Sequence, residues 1–217
     1  MAMSDEGKPM AKREENRQQM EQHIFDCALD LFCEHGYKQT TLGDIANEAE
    51  VSTRTLYKYF ATKESILRRF CKENITELKV FAGSLPSDMP LKEKVVKVMI
   101  HDFKQMFCLF DTSYILHAAH DSDGLLNRFE IKNIFAAESI YAFLFKREQL
   151  MQGVEPNEAT QTCATVMMGI YRQCNDTYRF AKHETFNEEI LRDLFEKHVN
   201  LVWPAIQEAL VPGSSKK

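Results

Sequence analysis

Apolar residues return on a helical period from the first long segment onward. Between Gln18 and His35, Ile24, Ala28, Leu31 and Phe32 stand at i, i+4, i+7 and i+8, one face of a helix. Gly36 follows as a left-handed stop. Residues 1–16 carry no such stripe and read as a flexible tail, as do 212–217. Thr41 to Phe60 predicts two short helices. Thr41 caps the first, with Asp44 at its third position, and Ile45, Ala46 and Ala49 form a narrow apolar face. Ala46 lets a second helix cross close by. Val51 anchors the turn, Ser52 caps the second helix, and Leu56, Tyr59 and Phe60 point inward.

Long helices are predicted at 62–81, 91–110, 125–152, 158–181 and 187–210, with a short one near Tyr114–His120. The loop from Gly83 to Pro90, with two prolines and a glycine, separates the first two. Thr185-Phe186-Asn187-Glu188 has the form of a capping box for the last helix. Pro204 is expected to kink or end that helix near Trp203. No alternating β-branched run and no internal repeat is present. The fold class is therefore all-α. A helix-turn-helix domain is expected at 17–62, and a larger helical regulatory and dimerisation domain at 63–211.

Charge changes this picture only when it is read locally. The 217-residue chain carries a net charge of −5, which taken alone argues mildly against nucleic acid. From Val51 to Lys63, however, the cations are Arg54, Lys58 and Lys63, and no acid occurs. Two short helices joined by a tight turn place the second in a major groove. Its outward face would offer Thr53, Arg54, Thr55, Tyr57 and Lys58, a mixture of phosphate-gripping and base-reading groups, and Tyr59, either core or contact, is kept as a further candidate. Thr41 at the first cap and Lys63 at the start of the next helix complete the candidate DNA contacts. Lys12, Arg13 and Arg17 would follow the backbone or enter a minor groove.

These residues resemble a known family. Phe32-x-x-x-Gly36-Tyr37, Thr40-Thr41-Leu42-x-x-Ile45-Ala46, Ala49-x-Val51-Ser52 and Thr55-Leu56-Tyr57-x-Tyr59-Phe60-x-x-Lys63-Glu64-x-Ile66-Leu67 look like the N-terminal signature of the TetR regulators. The resemblance covers about residues 18–70. It implies an Ω-shaped, all-helical homodimer that represses transcription and leaves DNA when a small molecule binds its C-terminal region. One position departs from the pattern. Glu50 stands where the family usually has glycine, in a turn that often needs a left-handed backbone.

The segment beyond residue 90 is rich in phenylalanine and methionine, the composition of a plain core that can also enclose an apolar pocket. Phe103, Phe107, Phe110, Tyr114, His117, Phe135, Met168 and Tyr171 are the candidate ligand-binding residues, for an unknown and largely apolar small molecule. Ala164, Met167, Met168 and Tyr171, with Leu191, Leu194, Phe195, His198 and Val202, form stripes expected to meet a twofold copy as a four-helix bundle. Homodimerisation in turn implies a pseudo-palindromic double-stranded DNA operator. The alternative is a DNA-binding protein without an inducer, controlled by a protein partner or organising DNA structurally.

Other chemistries find little support. His117, His120 and Asp121 lack the second spaced pair of a metal site, so no metal and no cofactor is expected. No phosphate loop, nucleophile elbow or H-E-x-x-H is present, which argues against an enzyme. The six cysteines read as reduced, small core hydrophobes. No apolar run suits a bilayer or a secretory signal, so no membrane partner is expected and the expected location is cytoplasmic.

Overall fold

A computed structural model of the protein describes residues 8–107, 125–181 and 186–211, and of 8–11 and 125–137 the backbone alone. The described residues form eight helices and no strand. None of these helices is long and apolar enough to cross a membrane. The chain divides into two compact units, Met1–Phe70 and Cys71–Lys217.

The first unit contains α1 (Lys8–His35), α2 (Leu42–Glu48), α3 (Thr53–Tyr59) and the start of α4 (Lys63–Ser84). The predicted stripe of α1 is its buried face: Ile24, Ala28 and Phe32 are fully buried, and Phe25 and Leu31 nearly so. Gly36 takes φ 82°, and its N–H reaches the Phe32 carbonyl at 3.0 Å, the left-handed close the sequence called for. The helix begins at Lys8, not near Gln18, so residues 8–16 are helical where a flexible tail was expected. The apolar stripe was the wrong criterion there. Lys12 to Gln19 is exposed, and its helix rests on local pairing, with Arg17 2.8 Å from Glu14 and 3.7 Å from Glu21.

The second unit holds the rest of α4, then α5 (Leu91–Met106), α6 (Leu125–Met151), α7 (Glu158–Phe180) and α8 (Glu188–Leu210). Helix α7 packs along both α6 and α8, and α5 closes against α6 and α8. Phe103 is fully buried at the centre of this bundle, with edge contacts to Tyr178 and Phe195. Asn157 caps α7 by accepting from the Ala159 N–H at 2.9 Å. Helix α8 is capped by Asn187, which accepts from the Ile190 N–H at 3.1 Å, while Thr185 of the expected capping box lies outside the described residues. The helix also continues through Pro204 to Leu210. The proline removes one N–H, but Ile206 and Leu210 beyond it are buried, and Gln149 donates to the Leu210 carbonyl at 3.0 Å. Packing outweighs the lost bond.

The apolar stripes expected at a dimer contact are mostly used inside the subunit. Ala164, Met167, Met168 and Tyr171 on α7, and Leu191 and Phe195 on α8, are buried within the bundle. The exposed apolar residues on these helices are different ones: Val166 and Phe180 on α7, Ile190 and Leu201 on α8. Cys71, Cys163 and Cys174 are core residues, as expected, and burial pushes the Cys174 thiol up to about 12. Cys33 is exposed, unlike a core hydrophobe. Tyr114, His117, His120 and Asp121 lie outside the described residues.

Within this apolar bundle sits a polar group of three. Asp102 on α5 accepts from the Asn74 amide of α4 at 2.9 Å and from the Tyr171 hydroxyl of α7. All three side chains are more than nine-tenths buried. Burial pushes the Asp102 carboxyl above the usual carboxylate range, against the two hydrogen bonds and the nearby His101, which favour the charged form. A folded-state value above the unfolded one means that the native protein binds this proton more tightly. Stability from this group is then greatest at acid pH and falls as pH rises through its folded pKa. Asp102→Asn keeps an acceptor for Asn74 and cannot ionise. Its stability relative to wild type, from urea unfolding at a series of pH values from about 4 upward, should therefore grow with pH. Parallel curves would show that Asp102 does not titrate abnormally.

Candidate nucleic-acid interface

Helix α2 is started by reciprocal capping. Thr41 Oγ1 accepts from the Asp44 N–H at 3.1 Å, while the Asp44 carboxylate accepts from the Thr41 N–H at 2.7 Å. These bonds hold the Asp44 carboxyl below its usual range. Ile45 and Ala46 turn into the core. The chain then reverses tightly: the Val51 N–H reaches the Ala46 carbonyl at 2.9 Å, and Glu50 adopts φ 53°. Glu50 is the one non-glycine residue with positive φ among those described, at the position where the sequence pattern suggested it. Ser52 opens α3 by accepting from the Thr55 N–H at 3.1 Å, with the two hydroxyls 2.8 Å apart. Leu56 and Phe60 bury, and Phe60 stacks on Phe25 of α1.

With Leu56 inward, α3 presents the rest of its surface. Thr53, Arg54, Tyr57 and Lys58 are exposed, and Tyr57 retains 55% of its area. Neither Arg54 nor Lys58 makes an ion pair among the described residues. Thr55 and Tyr59 are half-buried. Thr41 and Thr55 have their hydroxyls committed to helix caps, so any contact they make with DNA must share those bonds. Arg17 is paired with Glu14 and Glu21 on a helix, not carried on a loose arm.

Lys63 is more deeply engaged than its sequence position suggests. Its ammonium donates to the carbonyls of Tyr37 and Thr40, both at 2.7 Å, and lies 4.6 Å from the centre of the Tyr37 ring. Burial lowers its pKa, against the pull of Glu64 and Asp44. Tyr37 donates its hydroxyl to Glu64 at 3.1 Å. An ammonium has three donors, so one remains for a phosphate after the two carbonyls are served. Sequence reasoning missed this clasp, because bonds from a lysine to backbone carbonyls some two dozen positions earlier leave no periodic trace. It also missed Arg69, whose guanidinium lies 4.1 Å from the centre of the Phe25 ring and pairs with Glu21 at 3.6 Å.

The proposed ligand residues divide differently. Phe103, Met168 and Tyr171 are buried core side chains, and Phe107 is half-buried against Phe186 and Tyr178. Phe110, Tyr114 and His117 lie outside the described residues, as does the side chain of Phe135.

Two short capped helices, a tight turn and an exposed basic face define a helix-turn-helix regulator carried on a helical bundle. Residues 24–70 match the family model described as bacterial regulatory proteins, tetR family. Over these residues the chain is similar to the TetR family of transcriptional regulators. It is 25% identical over 154 residues, 68% of this chain and 74% of the other, to a Mycobacterium tuberculosis protein named "Putative mycofactocin biosynthesis transcriptional regulator MftR". Shorter alignments to other curated relatives span less than half of those proteins' lengths. Two solved structures share the fold. Bacillus subtilis FadR in complex with stearoyl-CoA has a TM-score of 0.57 at 18% identity, covering 88% of this chain and 98% of that one. Thermus thermophilus FadR, a TetR-family repressor in complex with lauroyl-CoA, has a TM-score of 0.60 at 19% identity, covering 84% and 93%.

Glu50 generates a prediction with separable parts. Its left-handed backbone costs roughly 1 kcal/mol, while a glycine there loses about 0.4–1 kcal/mol through greater unfolded-state freedom. Glu50→Gly should thus change stability by less than about 1 kcal/mol. Both Glu50→Gly and Glu50→Gln should bind DNA more tightly at low salt, because each removes an acid from the reading domain. Equal affinity of wild type and Glu50→Gln would show that this carboxylate does not face phosphate.

Proposed function

We propose that the protein is a homodimeric repressor that reads a pseudo-palindromic operator with α3 and leaves it when a small apolar ligand enters the helical bundle. The observation that carries this reading is the exposed face of α3, where Arg54, Tyr57 and Lys58 stand together without an acid from Val51 to Lys63. Arg54 is the base-reading residue, since a guanidinium matches the edge of guanine in the major groove. Tyr57, Lys58 and the remaining donor of Lys63 hold phosphate, with Thr41, Thr53, Thr55 and Tyr59 around them. The ligand seat is assigned to Phe103, Phe107, Met168 and Tyr171, while Phe110, Tyr114, His117 and Phe135 remain candidates on sequence alone. The acyl-CoA complexes of the two FadR proteins support a ligand that carries an apolar chain.

A head of about fifty residues grips few phosphates, and tight specific binding needs a second copy. The exposed apolar residues Val166 and Phe180 of α7, with Ile190 and Leu201 of α8, supply the face for it.

Selection of operators from random DNA tests the reading. Wild type should return an inverted repeat, Arg54→Ala a changed consensus, and Lys58→Ala the same consensus with affinity lowered on all sequences and a flatter salt slope. Lys63 is a poor choice for this comparison, because its loss also opens the clasp on Tyr37 and Thr40. On the selected operator, lauroyl-CoA, stearoyl-CoA and a panel of other apolar metabolites are then titrated. One of them should weaken binding about a hundredfold, which asks for only about 2.7 kcal/mol of differential affinity. An unchanged consensus for Arg54→Ala removes its base-reading role, and a panel without effect removes the inducer.

Assembly is tested separately. Light scattering at micromolar concentration should give a dimer for wild type and a monomer for Leu201→Glu, which places a charge on the exposed apolar stripe of α8. A wild-type monomer, or a Leu201→Glu dimer of unchanged affinity, rules this face out.

A further inference from the structure

A carboxylate enclosed in an apolar core is seldom kept without a cation, because burial strips away its water and a well-packed apolar side chain is often as stable there. Asp102 is such a group. It is 6% exposed, and among the described residues it makes no ion pair. Its hydrogen bonds come from neutral donors, the Asn74 amide at 2.9 Å and the Tyr171 hydroxyl. The cations around it are turned elsewhere. His101, its neighbour in the chain, reaches Glu77 at 3.2 Å, and Arg179 donates to the Met106 and Phe107 carbonyls. Burial pushes the Asp102 carboxyl up, so a bound proton stands in for the missing cation.

The surroundings have the composition of a small-molecule seat, apolar and aromatic walls with a few converging polar groups. Phe103 follows Asp102 directly and is fully buried, and Tyr171 stacks on Phe195 with ring centres 5.9 Å apart. Met99 lies one turn before Asp102 on α5, and Met168 one turn before Tyr171 on α7, both buried. Unbranched, polarisable methionines are the side chains that repack most readily around an inserted group. Burial, and after it the charge of Asp102, hold the hydroxyls of Tyr141 and Tyr171 well above the usual tyrosine range. Both therefore stay neutral donors and bring no second negative charge to the site.

We propose that Asp102 is the polar seat of the ligand site in the helical bundle, and that its ligand is an apolar amine whose ammonium bonds the Asp102 carboxylate. A carboxylate has about four acceptor positions. Asn74 and Tyr171 leave room for a further donor, so the ammonium joins their bonds without displacing either. A ligand with a carboxylate head is rejected at the same place, since two like charges in a dry core repel strongly. An alcohol is accepted but gains less, because a hydrogen bond between charged partners is roughly twice as strong as a neutral one. The seat rests on the reading of a ligand within the bundle and gives that ligand a chemical class. All the residues it uses belong to the second compact unit.

The test uses the full-length protein without DNA. Amines, alcohols and carboxylates matched on hexyl, octyl and phenylbutyl bodies are titrated at neutral pH, with binding read by calorimetry and by the melting temperature. At least one amine should bind about tenfold or more tighter than its alcohol, and its carboxylate more weakly than either. Asp102→Asn should bring that amine within about threefold of the alcohol and leave the alcohol unchanged. Tyr171→Phe keeps the carboxylate and should keep the preference; with the wild-type series it decides the matter if Asp102→Asn does not fold. Wild type that binds no amine, or none better than its alcohol, overturns the seat, as does an unaltered preference in Asp102→Asn or a lost one in Tyr171→Phe. Failure of the repressor reading looks different. An amine bound with this preference that leaves operator affinity unchanged removes the inducer and keeps the seat. An inducer with an acidic or neutral head, indifferent to Asp102→Asn, removes the seat and keeps the inducer.

Discussion

Two carbonyl oxygens holding one ammonium define the reading head. Lys63 sits at the first position of α4, and by donating to Tyr37 and Thr40 it ties that helix to the loop between α1 and α2. The same loop is set by Gly36, whose left-handed turn aims Tyr37 under the ammonium, and by Thr40, whose buried hydroxyl donates to the Leu31 carbonyl at 3.2 Å. From Thr41 onward the chain enters α2 through its reciprocal cap. The small Ala46 then lets the turn close, with the Val51 N–H on the Ala46 carbonyl. Beside the clasp, the start of α4 is held by the buried Ile66 and Leu67, by the Tyr37 hydroxyl on Glu64 and by Arg69 on the Phe25 ring of α1. A half-buried cation is costly, and serving it with carbonyls and an aromatic face is how the cost is met. The arrangement leaves a donor and most of a positive charge beside α3.

That local charge resolves the conflict between an acidic chain and a DNA-binding role. Phosphate responds to charges within roughly a Debye length, about 8–10 Å at physiological salt. Several acids of the first unit are engaged in local bonds. Asp44 is bound into its cap, Glu14 and Glu21 hold Arg17, and Glu64 accepts from Tyr37. Glu50 is exposed in the turn itself, as is Glu48 just before it.

What was legible in the sequence followed from local rules. The stripe of α1, the caps at Thr41 and Ser52, the left-handed Glu50 and the limits of the later helices all depend on residues within about one or two turns of each other. The errors came where the deciding contact was distant or where apolar stripes admit two partners. Pro204 does not end α8, because burial of Ile206 and Leu210 outweighs one missing bond. Met167, Tyr171, Leu191 and Phe195 share a helical period with a dimer face, but periodicity cannot say whether a stripe meets its own bundle or another copy. The start of α1 was missed for the opposite reason, since an exposed helix held by Glu14, Arg17 and Glu21 has no stripe to find. Most of the candidate DNA contacts are legible as what remains exposed on α3 once Leu56 and Phe60 are assigned inward. The Lys63 clasp and the Asn74–Asp102 bond are not, because each spans more than twenty residues.

The two polar features of α4 differ in what they tolerate. Lys63 meets two backbone carbonyls whose places are set by a short loop, so the head end of the helix is held by groups that cannot repack. Asn74 meets Asp102, a side chain on a neighbouring helix, in a core of Val, Met and Phe that can shift by a rotamer. Movement along α4 is therefore easier to accommodate beyond Asn74 than at Lys63. Even there it is opposed by a directional bond whose loss costs on the order of 1–3 kcal/mol. That cost is comparable to the differential affinity a modest ligand supplies. An apolar contact at position 74 would yield gradually, and a fully paired ion buried there would not yield to such a ligand at all. A neutral amide on a buried carboxyl lies between these limits, so this contact holds α4 more firmly than an apolar one and less firmly than an ion pair.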